Sequence, residues 1–256
     1  MIPKIIHYCW FNEAPLPMSL RICMHSWKKQ LPDYEFKLWD IHSFDVNSLD
    51  WTREAYELGA LAFVSDYVRL YALYTEGGIY MDTDVFVKKT FDPLLENRFF
   101  TAIEYHPEVI EADKQVVGRL SADGANCFPG VPVPGIQLLS AILGAEKGHP
   151  FIAETMKFYQ ETCFVQADGS RYIKIIAPDI LALTAEKFGL KYNKDIEQHL
   201  QDGITIYPSR ILGAAWVQVT VDTIAVHLSK GSWRKRSWFR NILTKFNFYR
   251  KILGVK

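Results

Sequence analysis

No stretch of 18 or more apolar residues occurs in the 256-residue sequence, so no segment reads as a membrane-spanning helix. A secretory leader is not expected either. Cysteine is scarce: Cys9, Cys23, Cys127 and Cys163 stand far apart with no CxxC pair, which argues against both a dense disulfide framework and a cysteine zinc site. A reducing cytoplasm is the expected home. Internal repeats and low-complexity runs are missing. Net charge is missing too, with 29 basic and 29 acidic residues, but the balance hides an asymmetry. No acidic residue follows Asp222, and positions 229–256 hold nine of the basic residues, leaving 20 basic against 29 acidic before them, a formal charge of −9.

What is present suits one enclosed core. Apolar residues make up 49% of the chain and aromatics 14%, enough at this length for a single α/β domain. The chain is organised around residues 60–87. Leu61 to Glu76 is apolar almost all round at the helical period, as a buried helix is. One narrow polar stripe carries Ser65, Asp66, Arg69 and Glu76. Asp66 and Arg69 are three apart and so neighbours on one turn. Charges on a buried helix need partners, so these two either pair with each other or face a site. Gly77-Gly78 is expected to end the helix, and Ile79 to Met81 reads as a short strand running into Asp82-Thr83-Asp84. Residues two apart on an extended chain point the same way, so two carboxylates converge at the end of a core strand. Such a pair suits a hard divalent cation that can also hold a diphosphate.

Ser65-Asp66-x-x-Arg69 followed by Gly77-Gly78-x-Tyr80-x-Asp82-x-Asp84 resembles the core of glycosyltransferase family 32, whose pattern is distantly like that of the clostridial glucosylating toxins. The resemblance implies a GT-A fold with a mainly parallel central sheet flanked by helices. It also implies metal-dependent, retaining transfer of a sugar from a nucleotide donor. The expected domain is 1–233, followed by a basic amphipathic helix over 234–256.

In chain order, Ile2 to Trp10 reads as the first buried strand, Pro17 to Gln30 as a helix, Tyr34 to Asp40 as a second strand, and Trp51 to Gly59 as a short helix. Nucleotide sites lie at the carboxyl ends of such strands, which brings His7 and Trp10 into the cofactor-binding set. The resemblance puts Trp10 near the base and adds Tyr80 from the motif. Asn12 stands where the family has glycine. Phe99 to Glu104 is expected as a strand and residues 105–134 as a long surface excursion, an acceptor lid or a tolerated insertion. Gly144-Ala-Glu-Lys-Gly-His-Pro150 is similar to a segment of capsule-type members. It makes Glu146 a candidate for contact with the sugar or stabilisation of an intermediate, while His149 with Pro150 reads as the start of the next helix, Phe151 to Thr162. A further helix is expected from Pro178 to Phe188, with Asp179 as a first-turn acid, and a late strand over Gly203 to Pro208.

The last informative stretch is Thr223 to Trp233, a strand ending in His227 and then a loop with Lys230, Ser232 and Trp233. Members carry a similar His-x-x-x-Gly-Ser-Trp signature. The resemblance makes His227 a third metal ligand beside Asp82 and Asp84, and gives Lys230, Ser232 and Trp233 to the donor site. Leu228 occupies the place of a common second histidine. The expected catalytic set is Asp66, Arg69, Asp82, Asp84 and Glu146. The expected cofactors are Mn²⁺ or Mg²⁺ and a nucleotide sugar, a UDP-sugar ahead of GDP-mannose.

The tail has Trp238, Ile242, Phe246, Tyr249 and Leu253 at three- or four-residue spacing among lysines and arginines. It reads either as a helix lying on an anionic membrane surface, at the inner face of the cytoplasmic membrane, or as a core-packing terminal helix with a solvated face. The acidic remainder of the chain disfavours nucleic acid. The expected role is transfer to a glycan, with a polyprenyl-diphosphate-linked one among the candidates, in capsular or surface polysaccharide synthesis. A nucleotide-sugar hydrolase, a protein-glucosylating effector and a silent binding protein are the rivals.

Overall fold

The computed structural model describes residues 1–112, 117–213 and 219–228. Among these described residues there are ten strands: β1 (Ile5–Cys9), β2 (Glu35–Trp39), β3 (Gly78–Met81), β4 (Val85–Val87), β5 (Phe99–Tyr105), β6 (Ile136–Leu138), β7 (Ile142–Ala145), β8 (Gln198–His199), β9 (Ile204–Tyr207) and β10 (Ala225–His227). The α-helices are α1 (Met18–Gln30), α2 (Asp50–Glu57), α3 (Leu61–Glu76), α4 (Pro107–Ala112), α5 (Pro150–Glu161), α6 (Ala177–Glu186) and α7 (Ser209–Leu212).

The main sheet runs β2-β1-β3-β7-β5-β9-β8, with β6 beside β5. β1, β2, β3, β5 and β9 point one way, and β6, β7 and β8 run against them. All the carboxyl ends of the five co-directional strands therefore lie along one edge. On one face, α2, α3, α5 and α6 cover a core that contains Tyr80, Phe99, Ile103, Leu143 and Phe151. On the other, α1, α7 and the β4–β10 ribbon cover Ile79, Met81, Phe100 and Ile142. The pleat explains this sorting: Ile79 and Met81 alternate with Tyr80, and Phe100 with Phe99, so one strand feeds two cores.

α3 is the helix the apolar run predicts, over the same residues. Gly77 ends it at φ 72°, and Gly78 follows at φ 109°. A Cβ at Gly78 would stand 2.7 Å from the Ile5 carbonyl oxygen, so both conformation and contact with β1 require glycine. The strands differ from expectation mainly at their ends: β1 covers Ile5–Cys9 rather than the whole apolar run. Within the expected excursion over 105–134, Pro107–Ala112 forms α4. Among the described residues, no helix is long and apolar enough to cross a membrane.

Candidate donor and metal site

β3 ends at Met81, and Asp82 to Val85 forms a turn in which the Val85 amide donates to the Asp82 carbonyl at 3.0 Å. The two carboxylates thus converge through a turn rather than through strand alternation. The Asp82 amide donates to the Ala141 carbonyl at 2.9 Å, which ties the turn to the segment entering β7. β4 then leaves the turn along α1, where the Trp27 indole donates to the Val85 carbonyl at 2.7 Å and the Val87 amide to the Ser26 hydroxyl at 2.9 Å. β10 pairs antiparallel with β4, with His227 opposite Val85, and the Leu228 amide donates to the Asp84 carbonyl at 3.2 Å. This ribbon carries a histidine from the far end of the chain to the carboxylates.

One ligand atom from each of Asp82, Asp84 and His227 lies within 4.8 Å of the others. His227 Nε2 is 3.3 Å from Asp84 Oδ1 and 4.0 Å from Asp82 Oδ2. Burial works against charge on the ring, but Asp84, with Glu104 and Asp82 behind it, outweighs burial and raises its pKa to about 9. Two carboxylate oxygens and an imidazole nitrogen, partly exposed on one side, fit Mn²⁺ or Mg²⁺ as a donor set. A ligating imidazole is neutral, so binding would displace the proton from His227.

Beneath the triad lies a second layer. Arg69 is only 5% exposed. Its Nη2 donates to Asp66 Oδ1 at 2.7 Å and stands 3.8 Å from Asp82 Oδ1, while Nη1 donates to the Ser140 carbonyl at 2.8 Å and Nε to the Ser65 carbonyl at 3.1 Å. The guanidinium also lies over the Tyr80 ring, 4.8 Å from its centroid. Asp66 and Arg69 therefore do both things the sequence left open: they pair, and they face the triad. Burial raises the Asp66 carboxyl to about 6, with Asp82 adding to the rise and Arg69 opposing it.

Not every expected residue belongs to this site. Tyr80 is buried, and its hydroxyl donates to Asp82 Oδ1 at 2.8 Å, so it orients a carboxylate from below and leaves no surface for a nucleotide. His7 is fully buried between its neighbours: its Nε2 is 2.7 Å from the Gly77 carbonyl, and the Trp39 indole donates to its Nδ1 at 3.1 Å. Both ring nitrogens are used by one neutral tautomer, and burial lowers the pKa, so His7 is a structural residue that locks β1 to the end of α3. Glu146 follows β7, whose Ala145 pairs with Gly78, so it lies at the amino end of β3, away from Asp82. There it pairs with the Met1 amino group and with Arg98 at 3.1 Å. The antiparallel direction of β7 removes Glu146 from the site. His149 caps α5, accepting from the Phe151 amide at 3.2 Å, as its place before Pro150 predicts.

Trp10, half-buried, lies just past β1 at the carboxyl edge, with its indole donating to the Ala14 carbonyl at 2.9 Å. Lys230, Ser232, Trp233 and the basic tail lie outside the described residues. Two participants escape the sequence reading. Ser140 offers a carbonyl, for which no side-chain pattern exists. Cys9 is buried among Ser65, Arg69, Tyr80 and Asp82, and burial pushes its thiol up to about 12; its position at the end of the first strand, beside Trp10, was the available signal.

Residues 17–100 match the family model described as "Glycosyltransferase sugar-binding region containing DXD motif". Inositol phosphoceramide mannosyltransferase 3 of Schizosaccharomyces pombe is 29% identical over 163 residues, 61% of this chain and 36% of that protein. Inositol phosphoceramide mannosyltransferase 1 of the same yeast is 34% identical over 108 residues, 39% of this chain and 33% of that protein. The chain thus spans about a third of the length of the curated relatives it matches. Among solved structures, mouse xyloside xylosyltransferase 1 in its apo form aligns over 87% of this chain and 96% of its own, with a TM-score of 0.50 and 11% identity. The match to the sugar-binding region with its DXD motif thus falls on residues 17–100, which hold Asp66, Arg69, Asp82 and Asp84, and the fold is similar to that of a solved glycosyltransferase.

Proposed function

We propose that the chain transfers a hexosyl group from a nucleotide sugar to a glycan hydroxyl, with Asp82, Asp84 and His227 holding a divalent cation. The observation that carries the reading is the triad itself, assembled by the turn after β3 and the β4–β10 ribbon, directly over the Asp66–Arg69 pair. The cation, when bound, supplies positive charge against the diphosphate that departs with the nucleotide. The protein's own part is orientation. Tyr80 and Arg69 fix Asp82 from below, and the ribbon fixes His227 against Asp84. Asp66 accepts from hydroxyls of the donor, and Trp10, at the end of β1, offers a ring face to the base. Retention of configuration belongs to the reading as an expectation of the family resemblance. So does an acceptor in surface-polysaccharide assembly, lipid-linked and reached by the basic tail at a membrane surface.

A UDP-sugar is the donor this reading takes first. The two yeast relatives, both named mannosyltransferases, favour a second donor, GDP-mannose. Calorimetric titration with UDP and with GDP, each with and without Mn²⁺, separates the two. Metal-dependent binding of one diphosphate identifies the donor class, and binding of neither refutes the site. Turnover that needs no acceptor would instead identify a hydrolase.

A further inference from the structure

The carboxyl edge of the sheet holds another carboxylate, Glu104, that is hydrogen-bonded neither to Arg69 nor to the three candidate ligands in any contact among the described residues. Strand register fixes its place. Gly144 of β7 pairs with Ile79 on one side and Phe100 on the other. Ile103 therefore stands level with Asp82, and Glu104 one residue further toward the open edge. β7 separates β3 from β5, so Glu104 is about 10 Å across the sheet from β3 at the usual strand spacing. On the opposite side β1 adjoins β3 with His7 facing Tyr80, which puts Trp10, too, one residue beyond the level of Asp82. Along the edge the order is Trp10, then the triad, then Glu104.

The Glu104 side chain is 13% exposed. It lies close enough to His227 and to Asp179 for its charge to act on both. Its Oε1 is 3.3 Å from His106 Nε2, and His106 Nδ1 is in turn 3.4 Å from Glu108. Among the described residues no lysine or arginine pairs with Glu104. An ionised carboxylate offers about four acceptor positions, and one imidazole contact leaves most of them to be met from elsewhere. The neighbouring Asp179, itself an acceptor from Gln137 and from the Ile176 amide at 3.2 Å, offers Glu104 no donor. A ligand here must bring hydrogen-bond donors. An anionic group would meet Glu104 and Asp179 with like charge, whereas neutral hydroxyls suit them.

We propose that Glu104, oriented by His106, accepts hydrogen bonds from hydroxyls of the transferred hexosyl unit. The proposal rests on the nucleotide-sugar reading above. With the base at Trp10 and the diphosphate at the triad, the next position along the edge belongs to the sugar, and Glu104 stands there. Glu104 is then a sugar-binding residue and His106 a positioning residue that acts through it.

The test compares the affinity of the full chain, at fixed Mn²⁺, for UDP and GDP with its affinity for UDP-glucose, UDP-galactose, UDP-N-acetylglucosamine and GDP-mannose. Glu104→Gln is expected to weaken the preferred nucleotide sugar at least tenfold while the bare diphosphate stays within twofold. His106→Asn should give a smaller loss of the same selective kind, and it decides the matter if Glu104→Gln shows no cooperative melting transition. Equal weakening of diphosphate and nucleotide sugar, or no weakening of either, overturns the proposal. A wild-type chain that binds no diphosphate with Mn²⁺ fails differently: it removes the nucleotide-sugar reading on which the proposal rests.

Discussion

Replacing Arg69 by methionine removes a guanidinium that is 5% exposed and engaged with Asp66, Asp82, Ser65 and Ser140. Methionine occupies much of the same volume and makes none of these contacts. Breaking a buried pair by deleting one partner costs about 3–5 kcal/mol, because the other charge stays behind without compensation. The cost depends on pH in a definite direction. The Asp66 carboxyl is already raised to about 6 in the folded chain, so folding disfavours its ionised form and this group's contribution to stability declines as pH rises through that value. Without Arg69 the folded pKa moves higher still and the decline is larger. Arg69→Met should therefore cost about 4 kcal/mol at pH 8 and roughly half as much at pH 5, where Asp66 holds a proton in both proteins. Urea denaturation at the two pH values, without metal, measures both. Asp66→Asn introduced on top of Arg69→Met should recover part of the loss at pH 8. A loss below about 1 kcal/mol at pH 8, or the same loss at both pH values, would show that the pair is not the buried charge partnership described.

His7→Phe leaves the Trp39 indole and the Gly77 carbonyl without partners and should destabilise by about 2–4 kcal/mol, while nucleotide affinity of the folded protein, measured by calorimetry, stays within about twofold, under half a kcal/mol. Glu146→Gln, at the opposite end of β3, should leave metal-dependent diphosphate binding unchanged; a tenfold loss would return Glu146 to the site. Because the His227 ring binds a proton up to about pH 9, Mn²⁺ binding at pH 7.5 should release close to one proton per ion, read as a dependence of the calorimetric enthalpy on the buffer's ionisation enthalpy. Binding with no proton release would contradict that role for His227.

Much of this site was legible because its determinants are local. The all-round apolar pattern of α3, the paired glycines that only glycine conformation and close contact explain, and two carboxylates two residues apart all lie within one short stretch. What was hidden depends on how strands are ordered and directed. Nothing in the neighbourhood of Glu146 says that β7 runs against β3, and that direction alone carries the residue to the wrong end. An apolar run reaching Trp10 suggests an edge position for His7; the side chain turns instead into a pocket closed by Trp39 and Gly77, residues distant in sequence. Cys9 and Glu104 reach the site through the register of β1 and β5 against their neighbours, which no single-strand pattern encodes. The family resemblance alone points to His227; the physical cause of its place beside the carboxylates, the β4–β10 ribbon clamped by Trp27 and Ser26 of α1, is tertiary.

In the proposed function, Asp82, Asp84 and His227 hold one divalent cation against the donor's diphosphate. Pulsed electron paramagnetic resonance of the Mn²⁺-loaded chain with UDP or GDP tests it directly. The expected spectrum shows a directly coordinated ¹⁴N that disappears in His227→Ala, together with ³¹P coupling from the bound diphosphate that is lost in Asp82→Asn. Mn²⁺ that shows phosphorus coupling without histidine nitrogen, or nitrogen without phosphorus, would contradict it.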